Sequence, residues 1–374
     1  MALYKRIYLI GDAFVSFRAR ALFEFLMASP EYVFHHSDPR FLMTTNKSFF
    51  KRLLFRIFRI FDKFLSLHKL VISDIIYILP MGNLIGVEKF ISKMLRKKVI
   101  GEFYISMLDT YVNDRKIVLE NSLKASKLLK LDQNLIDVCN QIVFLNSSER
   151  EYYLNLIERQ TAYDKTLIIP LATNYRLRSK LPYANLKSST ITLCWWGTFL
   201  PLHGLDKIIE AAKYLKLANI DFKLYLFGNS TEKALPYKNQ LINLGLESHV
   251  FFDYYKNFAD KSLENFLIDN CDIAFGNFGD SFKAKTVMVN KVVESISMGL
   301  PVISQRTSAL NEYFTDLENI IFCESEALKI AEKVIMLSKE RNLLNDIGNA
   351  GYLLFEKHFS KEAYLNQIIP LLKT

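Results

Sequence analysis

The most informative stretch of this sequence is Asn290-Lys291-Val-Val-Glu294-Ser-Ile-Ser-Met-Gly299-Leu-Pro301-Val-Ile. Its pattern predicts a helix that starts near Asn290, ends at Gly299 and leads into a strand from Pro301. A cation at Lys291 opposes the positive end of the helix dipole, which indicates that an anion balances both. Glu294, one turn further along, is placed to accept hydrogen bonds from a sugar hydroxyl. The alternative is an amphipathic helix with an ordinary C-cap.

The residues on both sides of this stretch alternate between strand and helix patterns. In the second half the alternation begins with the strand Thr192–Trp196 and closes with the helices Glu326–Lys339 and Arg341–His358. Repeated βα units predict an α/β fold in which a parallel sheet carries helices on both faces. Such sheets bind ligands at the carboxyl ends of their strands, so the loops after the strands form the candidate site.

Two further loops follow strand ends in this half. The first is Trp196-Gly197-Thr198-Phe-Leu-Pro-Leu-His203-Gly204. Its glycines allow close backbone approach to a ligand, and His203 would donate to a phosphate, an exposed loop histidine being the alternative. The second, Gly276 to Thr286, carries two glycines and two lysines between a strand and a helix. Such a loop can cradle a diphosphate, with a solvated basic loop as the alternative.

In this order and spacing, the three segments resemble the carboxyl-terminal domain of family 4-like glycosyltransferases, within glycosyl transferases group 1. The resemblance covers about Leu193 to Leu372. It implies the GT-B fold, in which two Rossmann-like doubly wound domains face each other across a cleft that holds the active site. It also implies that Glu294 contacts the nucleotide ribose. The residues expected to bind the donor are Gly197, Thr198, His203, Gly204, Gly228, Lys283, Lys285 and Asn290.

The chain departs from the family pattern at the donor phosphates. Thr286 stands where the family has the first Glu of a Glu-x7-Glu pair, and Thr198 and His203 replace the usual Arg and Lys. We therefore expect the cationic charge to come from the Lys283–Lys291 segment, with Lys291 and Glu294 as catalytic residues and no metal. For the same reason, we do not transfer a retaining stereochemical outcome from the family to this chain.

The length of the chain, 374 residues, favours two domains. The strand pattern of the first half ends at Pro170, and the stretch after it has no periodicity. We expect an amino-terminal acceptor-binding domain over residues 1–175 and a nucleotide-sugar-binding domain over 176–358. A terminal helix over 359–374 is expected to return to the first domain.

The first half offers weaker candidates for acceptor binding. Asp109 lies among several carboxylates after a strand end and is the candidate catalytic base, with a capping or salt-bridging role as the alternative. His35-His36-Ser-Asp38 is a second candidate, or a surface loop. Gly11-Asp12 and Arg18 are expected to line the cleft. Ser147 or Ser148 is the expected N-cap of the helix that follows.

A basic amphipathic segment runs from Phe49 to Leu67. Four cations recur at intervals of four, three and four residues, and apolar side chains fill the opposite side: the cations are Arg52, Arg56, Arg59 and Lys63. A helix of this kind suits an anionic membrane surface. The alternative is a domain helix whose apolar face packs on the sheet.

Composition limits the remaining possibilities. The net charge of +9 indicates an anionic partner, and no nucleic-acid-binding signature accompanies it, so none is expected. The four cysteines lie singly in apolar runs, which predicts buried thiols and neither a metal site nor a cofactor. Without an 18-residue apolar run or a signal peptide, we expect a cytoplasmic protein, peripheral at the inner face of the plasma membrane.

Two functions are consistent with these patterns. The first is a glycosyltransferase that moves a sugar from a nucleotide-diphosphate sugar to a glycan or lipid-linked saccharide, in bacterial-type surface polysaccharide or lipopolysaccharide synthesis. The second is a degenerate GT-B scaffold that binds without catalysis.

Overall fold

The computed structural model describes residues 4–37, 61, 64–177 and 190–373. The chain divides into two compact units, one comprising Met1–Pro170 with Tyr364–Thr374 and the other Leu171–Ala363. These divisions lie five residues before and five residues after the domain limits expected at 175 and 358. Each unit contains its own six-stranded parallel sheet, which confirms the expected α/β class.

The sheet of the first unit has short, parallel, mostly buried strands. They are β1 (Lys5–Ile10), β2 (Tyr32–Ser37), β3 (Ile75–Ile78), β4 (Lys98–Glu102), β5 (Gln141–Phe144) and β6 (Thr166–Ile168). Their order is β2-β1-β3-β4-β5-β6. Since right-handed crossovers are the rule, the helix after β1 lies on one face, and the helices after β2, β3, β4 and β5 lie on the other.

Three helices of the first unit begin at a short polar side chain that caps them, Ser16, Ser122 or Asn146. The helices are Phe17–Ala28, Gly86–Met94, Leu123–Val138, Ser147–Leu156 and Lys361–Lys373, and residues 64–72 are also helical. The expected N-cap at Ser147 or Ser148 is wrong. The helix already begins at Ser147, and the Asn146 side chain accepts from the backbone N–H of Glu149 at 2.7 Å. Residue Asn146 is extended, so its side chain reaches that donor.

Arg18 lies in the interior of the first unit, so the expectation that it lines a ligand cleft is wrong. Its guanidinium forms an ion pair with Glu102 at 3.0 Å and donates to the Ile169 carbonyl at 2.5 Å. The rings of Tyr104 and Tyr364 lie 4.9 and 4.7 Å from its central carbon. These partners compensate for the desolvation of the charge, and Tyr364 joins the carboxyl-terminal helix to the network.

The sheet of the second unit is also parallel. Its strands are β7 (Ile191–Trp196), β8 (Phe222–Phe227), β9 (Val250–Asp253), β10 (Ile273–Phe275), β11 (Val302–Gln305) and β12 (Ile321–Cys323). Their order is β12-β11-β10-β7-β8-β9. The direction of strand addition reverses between β7 and β10, and the loops after these two strands therefore flank the switch point where such sheets bind ligands.

Eight helices are described in the second unit. They are Leu205–Leu217, Thr231–Asn243, Ser262–Asn270, Phe282–Thr286, Asn290–Ser297, Ser308–Asn311, Ala327–Lys339 and Arg341–His358. The longer elements agree with the predicted ones to within a residue or two. The two short helices and β12 were not predicted, because three to five residues carry too little periodicity.

Several residues that the sequence singled out lie outside the described ranges or next to them. Residues 49–60, 62 and 63 of the basic segment lie outside the described residues, as does Asp38. His35 and His36 lie in β2 rather than in a surface loop, and the Nε2 of His36 contacts the Gly11 carbonyl oxygen at 2.8 Å. Within the described ranges, no helix is both long and apolar enough to cross a bilayer.

Candidate functional site

Lys291 is a buried cation beside the switch point of the second sheet. It lies in the first turn of the Asn290–Ser297 helix with only 4% of its surface exposed. Its Nζ lies 4.1 Å from the centroid of the Trp195 ring and 3.3 Å from the position of a Cβ added to Gly197. Among the described residues this nitrogen has no hydrogen-bond acceptor. A buried amine without an acceptor favours the binding of an anion.

Burial and the nearby carboxylate of Glu294 have opposite effects on the pKa of Lys291. Burial lowers the pKa of the amine to about 7, and the charge of Glu294 partly opposes this. The helix has neither a side-chain N-cap nor an acidic residue in its first turn. Its positive dipole end therefore adds to the charge of the lysine, and both favour an anion at this end of the helix.

Glu294 is oriented by a tryptophan on β7. The indole Nε1 of Trp196 donates to Oε2 of Glu294 at 2.6 Å. Burial raises the pKa of Glu294, while the indole bond and Lys291 act in the opposite direction. The hydrogen bond holds one carboxylate oxygen in a defined place, so the carboxylate is pre-oriented for a hydroxyl ligand.

His203 also lies against Trp195. The two rings meet edge to face with centroids 5.9 Å apart. Burial, and then the charge of Lys291, lower the pKa of His203 to about 3, so the ring is neutral at physiological pH. The Nδ1 atom is buried without a hydrogen-bond partner among the described residues. The neutral ring has one N–H to donate, which is compatible with the expected phosphate contact.

Glycines allow the loops after β7 and β10 to pack backbone against backbone. A Cβ on Gly204, where φ is +61°, would lie 2.4 Å from the Phe278 carbonyl, and one on Gly279 would lie 2.0 Å from the Leu202 oxygen. Gly228 has a packing role as well, since a Cβ there would lie 2.2 Å from the ring of Phe199. These glycines hold the loops close together and thereby position the site.

The two lysines of the loop after β10 are placed differently from Lys291. Lys283 is half-buried and Lys285 is exposed, and Lys285 lines a cavity of about 750 Å³ that does not include Lys291. Thr286, at the position of the missing Glu, donates through its hydroxyl to the Phe282 carbonyl at 3.1 Å. Of the three expected cations, Lys291 is the one that lies against Trp195 and Gly197. Thr198, directly after Gly197, and Asn290, directly before Lys291, are both exposed.

Asp109 occupies the interior of the first unit. It begins a π-helix, Asp109–Asp114, and its Oδ1 accepts hydrogen bonds from the hydroxyl of Tyr152 and from Asn113. Its side chain is fully buried. In this arrangement it does not reach solvent, so the geometry agrees with the structural alternative better than with a base that meets an acceptor.

The two tryptophans of the site were not among the predicted residues. Trp195 and Trp196 are the only tryptophans of the chain. Side chains alternate along a strand, so Trp195 packs in one hydrophobic core and Trp196 in the other. Two rare, large side chains directly before Gly197 were the signal in the sequence, although nothing local showed that they contact Lys291 and Glu294.

Comparison with known proteins identifies a family domain in the second half. Residues 184–354 match the family model described as Glycosyl transferases group 1, which confirms the expected group 1 domain. None of the curated proteins matches the sequence significantly.

Three solved structures share the fold over almost the whole chain. Sucrose-phosphate synthase from Thermosynechococcus elongatus is 14% identical, with a TM-score of 0.70 over 99% of this chain and 98% of its own. Anabaena HepE, solved with UDP and glucose, is 13% identical, with a TM-score of 0.64 over 99% of this chain and 100% of its own. A glycosyltransferase from Rickettsia africae is 14% identical, with a TM-score of 0.66 over 100% of this chain and 98% of its own. These similarities confirm the GT-B fold.

Proposed function

We propose that this chain is a glycosyltransferase that uses a nucleoside diphosphate sugar as donor. The observation that carries the proposal is the buried Lys291 amine, which has no acceptor in the described part of the chain and lies at a helix amino terminus beside the switch point. The group 1 domain match and the UDP-containing neighbour HepE support it. We propose UDP as the first nucleotide to test for the same reason.

The chemistry follows from the positions of three side chains. In transfer, an acceptor hydroxyl oxygen bonds to C1 of the sugar, the bond from C1 to the β-phosphate oxygen breaks with its electron pair leaving on the diphosphate, and the hydroxyl proton passes to water. Lys291 and the helix amino terminus stabilise the charge on the departing diphosphate. The neutral His203 donates one hydrogen bond to it, and Glu294 holds a donor hydroxyl. This scheme needs no metal, and we propose a metal-independent reaction.

The acceptor and pathway are a further part of the proposal. We infer a glycan or lipid-linked saccharide acceptor in surface polysaccharide or lipopolysaccharide synthesis, which rests on the basic amphipathic pattern of residues 49–67. Membrane association through that segment remains a prediction. Assignment to family 4 also remains a prediction, because Thr286 lacks the carboxylate of that family's paired glutamates.

A binding scaffold without catalysis is the second candidate, and Thr286 is the observation that favours it. In this case the fold would persist and the anion site would hold no donor, or would hold one without turnover.

Titration calorimetry and a transfer assay separate the two candidates. UDP, GDP and their sugars are titrated into the full chain, into Lys291→Met and into the control Lys233→Met, which removes an exposed lysine from the first turn of another helix. We expect one nucleotide to bind to the parent and the control, and Lys291→Met to weaken it by about a hundredfold. Undiminished binding by Lys291→Met contradicts the assignment of the site. Binding by the parent without donor hydrolysis or transfer favours the scaffold.

A further inference from the structure

Two neighbouring helices cover one face of the first sheet. Residues 64–72 are helical, and the next helix along the face is Gly86–Met94. The Tyr8 hydroxyl, on β1, lies 3.1 Å from the Ser66 hydroxyl and donates to Glu88 at 3.4 Å. Both helices therefore pack over the same point of the sheet, with their opposite faces turned outward.

The outward faces of these helices carry large apolar side chains. Phe64 is 65% exposed and Phe90 is 67% exposed. The inward positions, by contrast, are filled by Ser66, Leu70 and the small or capping residues of the second helix. We define the docking face by six exposed apolar residues: Phe64, Leu65, Ile72, Val87, Phe90 and Met94. Exposed apolar side chains grouped on two neighbouring helices are typical of an interaction site.

The charge around the docking face is mostly positive. Lys69, Lys93 and Arg96 are exposed on or directly after the two helices. The only acid of the two described helices, Glu88, is buried and accepts from the backbone N–H of Ile85 at 2.8 Å. Asp74, two residues after the first helix, is also exposed and accepts from the backbone N–H of Arg6 at 2.8 Å. Among the described residues, the face therefore combines protruding apolar groups with more exposed cations than exposed carboxylates.

We propose that the docking face binds the surface of an anionic lipid bilayer. Aromatic and aliphatic side chains on convex helices enter the headgroup region, and the surrounding lysine and arginine side chains meet anionic headgroups. A second copy of the chain fits less well, since two-fold pairing of this face would bring two mainly positive surfaces together. The proposal concerns residues other than the Lys291 site and does not depend on transfer.

Vesicle co-sedimentation of the full chain tests the proposal. The vesicles are phosphatidylglycerol mixed with phosphatidylcholine, or phosphatidylcholine alone, and no nucleotide sugar is present. We expect binding to the anionic vesicles, at least about tenfold weaker binding to the neutral ones, and a loss of binding as the ionic strength rises. The double variant Phe64→Ser with Phe90→Ser should reduce binding to anionic vesicles by about tenfold or more.

The matched control changes two equally exposed leucines of the second unit. Leu217 is 68% exposed and Leu353 is 65% exposed, and Leu217→Ser with Leu353→Ser should leave vesicle binding unchanged. Absence of binding by the parent, equal losses in both double variants, or no loss in the phenylalanine variant would each overturn the proposal. A concentration-dependent dimer that only the phenylalanine variant abolishes, without vesicle binding, would assign the face to a second copy instead.

Insertion is tested independently of affinity. In Phe90→Trp, the new indole should be quenched by brominated lipids in anionic vesicles, whereas an indole in Leu353→Trp should not. The native Trp195 and Trp196 are buried and contribute little to this quenching. Equal quenching of the two variants would overturn the proposal. Transfer activity on a soluble acceptor can succeed or fail without affecting these results, so failure of this proposal and failure of the proposed function are distinguishable.

Discussion

Replacing Lys291 by Met is expected to stabilise the free protein while removing its anion site. The buried amine lies against Trp195 and has no acceptor among the described residues, so the ring and the charge of Glu294 compensate for its desolvation only in part. The methionine side chain has a similar length, carries no charge and can make favourable contacts with the ring. Stability and binding should therefore change in opposite directions.

The pKa of Lys291 sets the magnitude of the expected gain in stability and the direction in which it changes with pH. In the unfolded chain the pKa is 10.5, and burial lowers it to about 7 in the native state. Between these values the unfolded chain holds more protons, so the stability of the parent rises with pH across this window. Each pH unit corresponds to about 1.4 kcal/mol, which limits the stabilisation by Lys291→Met to about 4 kcal/mol at pH 7 and about 1 kcal/mol at pH 10.

Urea unfolding of the second unit at pH 7 and pH 10 measures this difference. The control Lys233→Met should change the free energy of unfolding by less than about 0.5 kcal/mol at either pH, because that side chain is exposed. A destabilising Lys291→Met, or a gain that stays constant between pH 7 and pH 10, would refute the reasoning, since either result means that the lysine is well solvated or paired in the native protein.

Three further predictions concern the site and its scaffold. Nucleotide affinity should fall by up to about 50-fold between pH 7 and pH 9, since the bound anion requires protonated Lys291; calorimetry that finds no pH dependence contradicts this. Gly279→Ala should destabilise the protein by at least about 2 kcal/mol through its contact with backbone, whereas Gly86→Ala, with nothing within 4 Å, should be neutral or stabilising in thermal unfolding. Arg18→Met should lower the free energy of unfolding, measured in urea, by about 3–5 kcal/mol, because it leaves Glu102 buried without its cation. Combining it with Glu102→Leu should recover part of that loss. No recovery would mean that the ion pair is not the cause.

Much of the second unit was predictable from local patterns. The strand predicted at Thr192–Trp196 is observed at Ile191–Trp196, and the helix Arg341–His358 agrees with the prediction to the residue. Apolar spacing over ten or more residues, and glycines at strand ends, act on neighbouring positions and are therefore visible in sequence. The same local signals located the Asn290–Ser297 helix and the loop before it.

The environment of individual side chains was not predictable in this way. The hydrogen bond between Trp196 and Glu294 joins residues 98 positions apart, and the Arg18 bond to Ile169 spans 151 positions. Arg18 was predicted to line a ligand cleft, yet it is enclosed by its own unit. Asp109 is likewise buried, and the Tyr152 hydroxyl that donates to it lies 43 positions away.

The sequence by itself determined the order of strands and helices, the position of the glycine loops, and a lysine at a helix amino terminus. Only the tertiary structure decided that this lysine is buried on Trp195 and that Glu294 is held by Trp196. The reason is physical: periodicity and capping depend on residues within a few positions of one another, whereas burial and charge compensation depend on which elements the parallel sheet brings together.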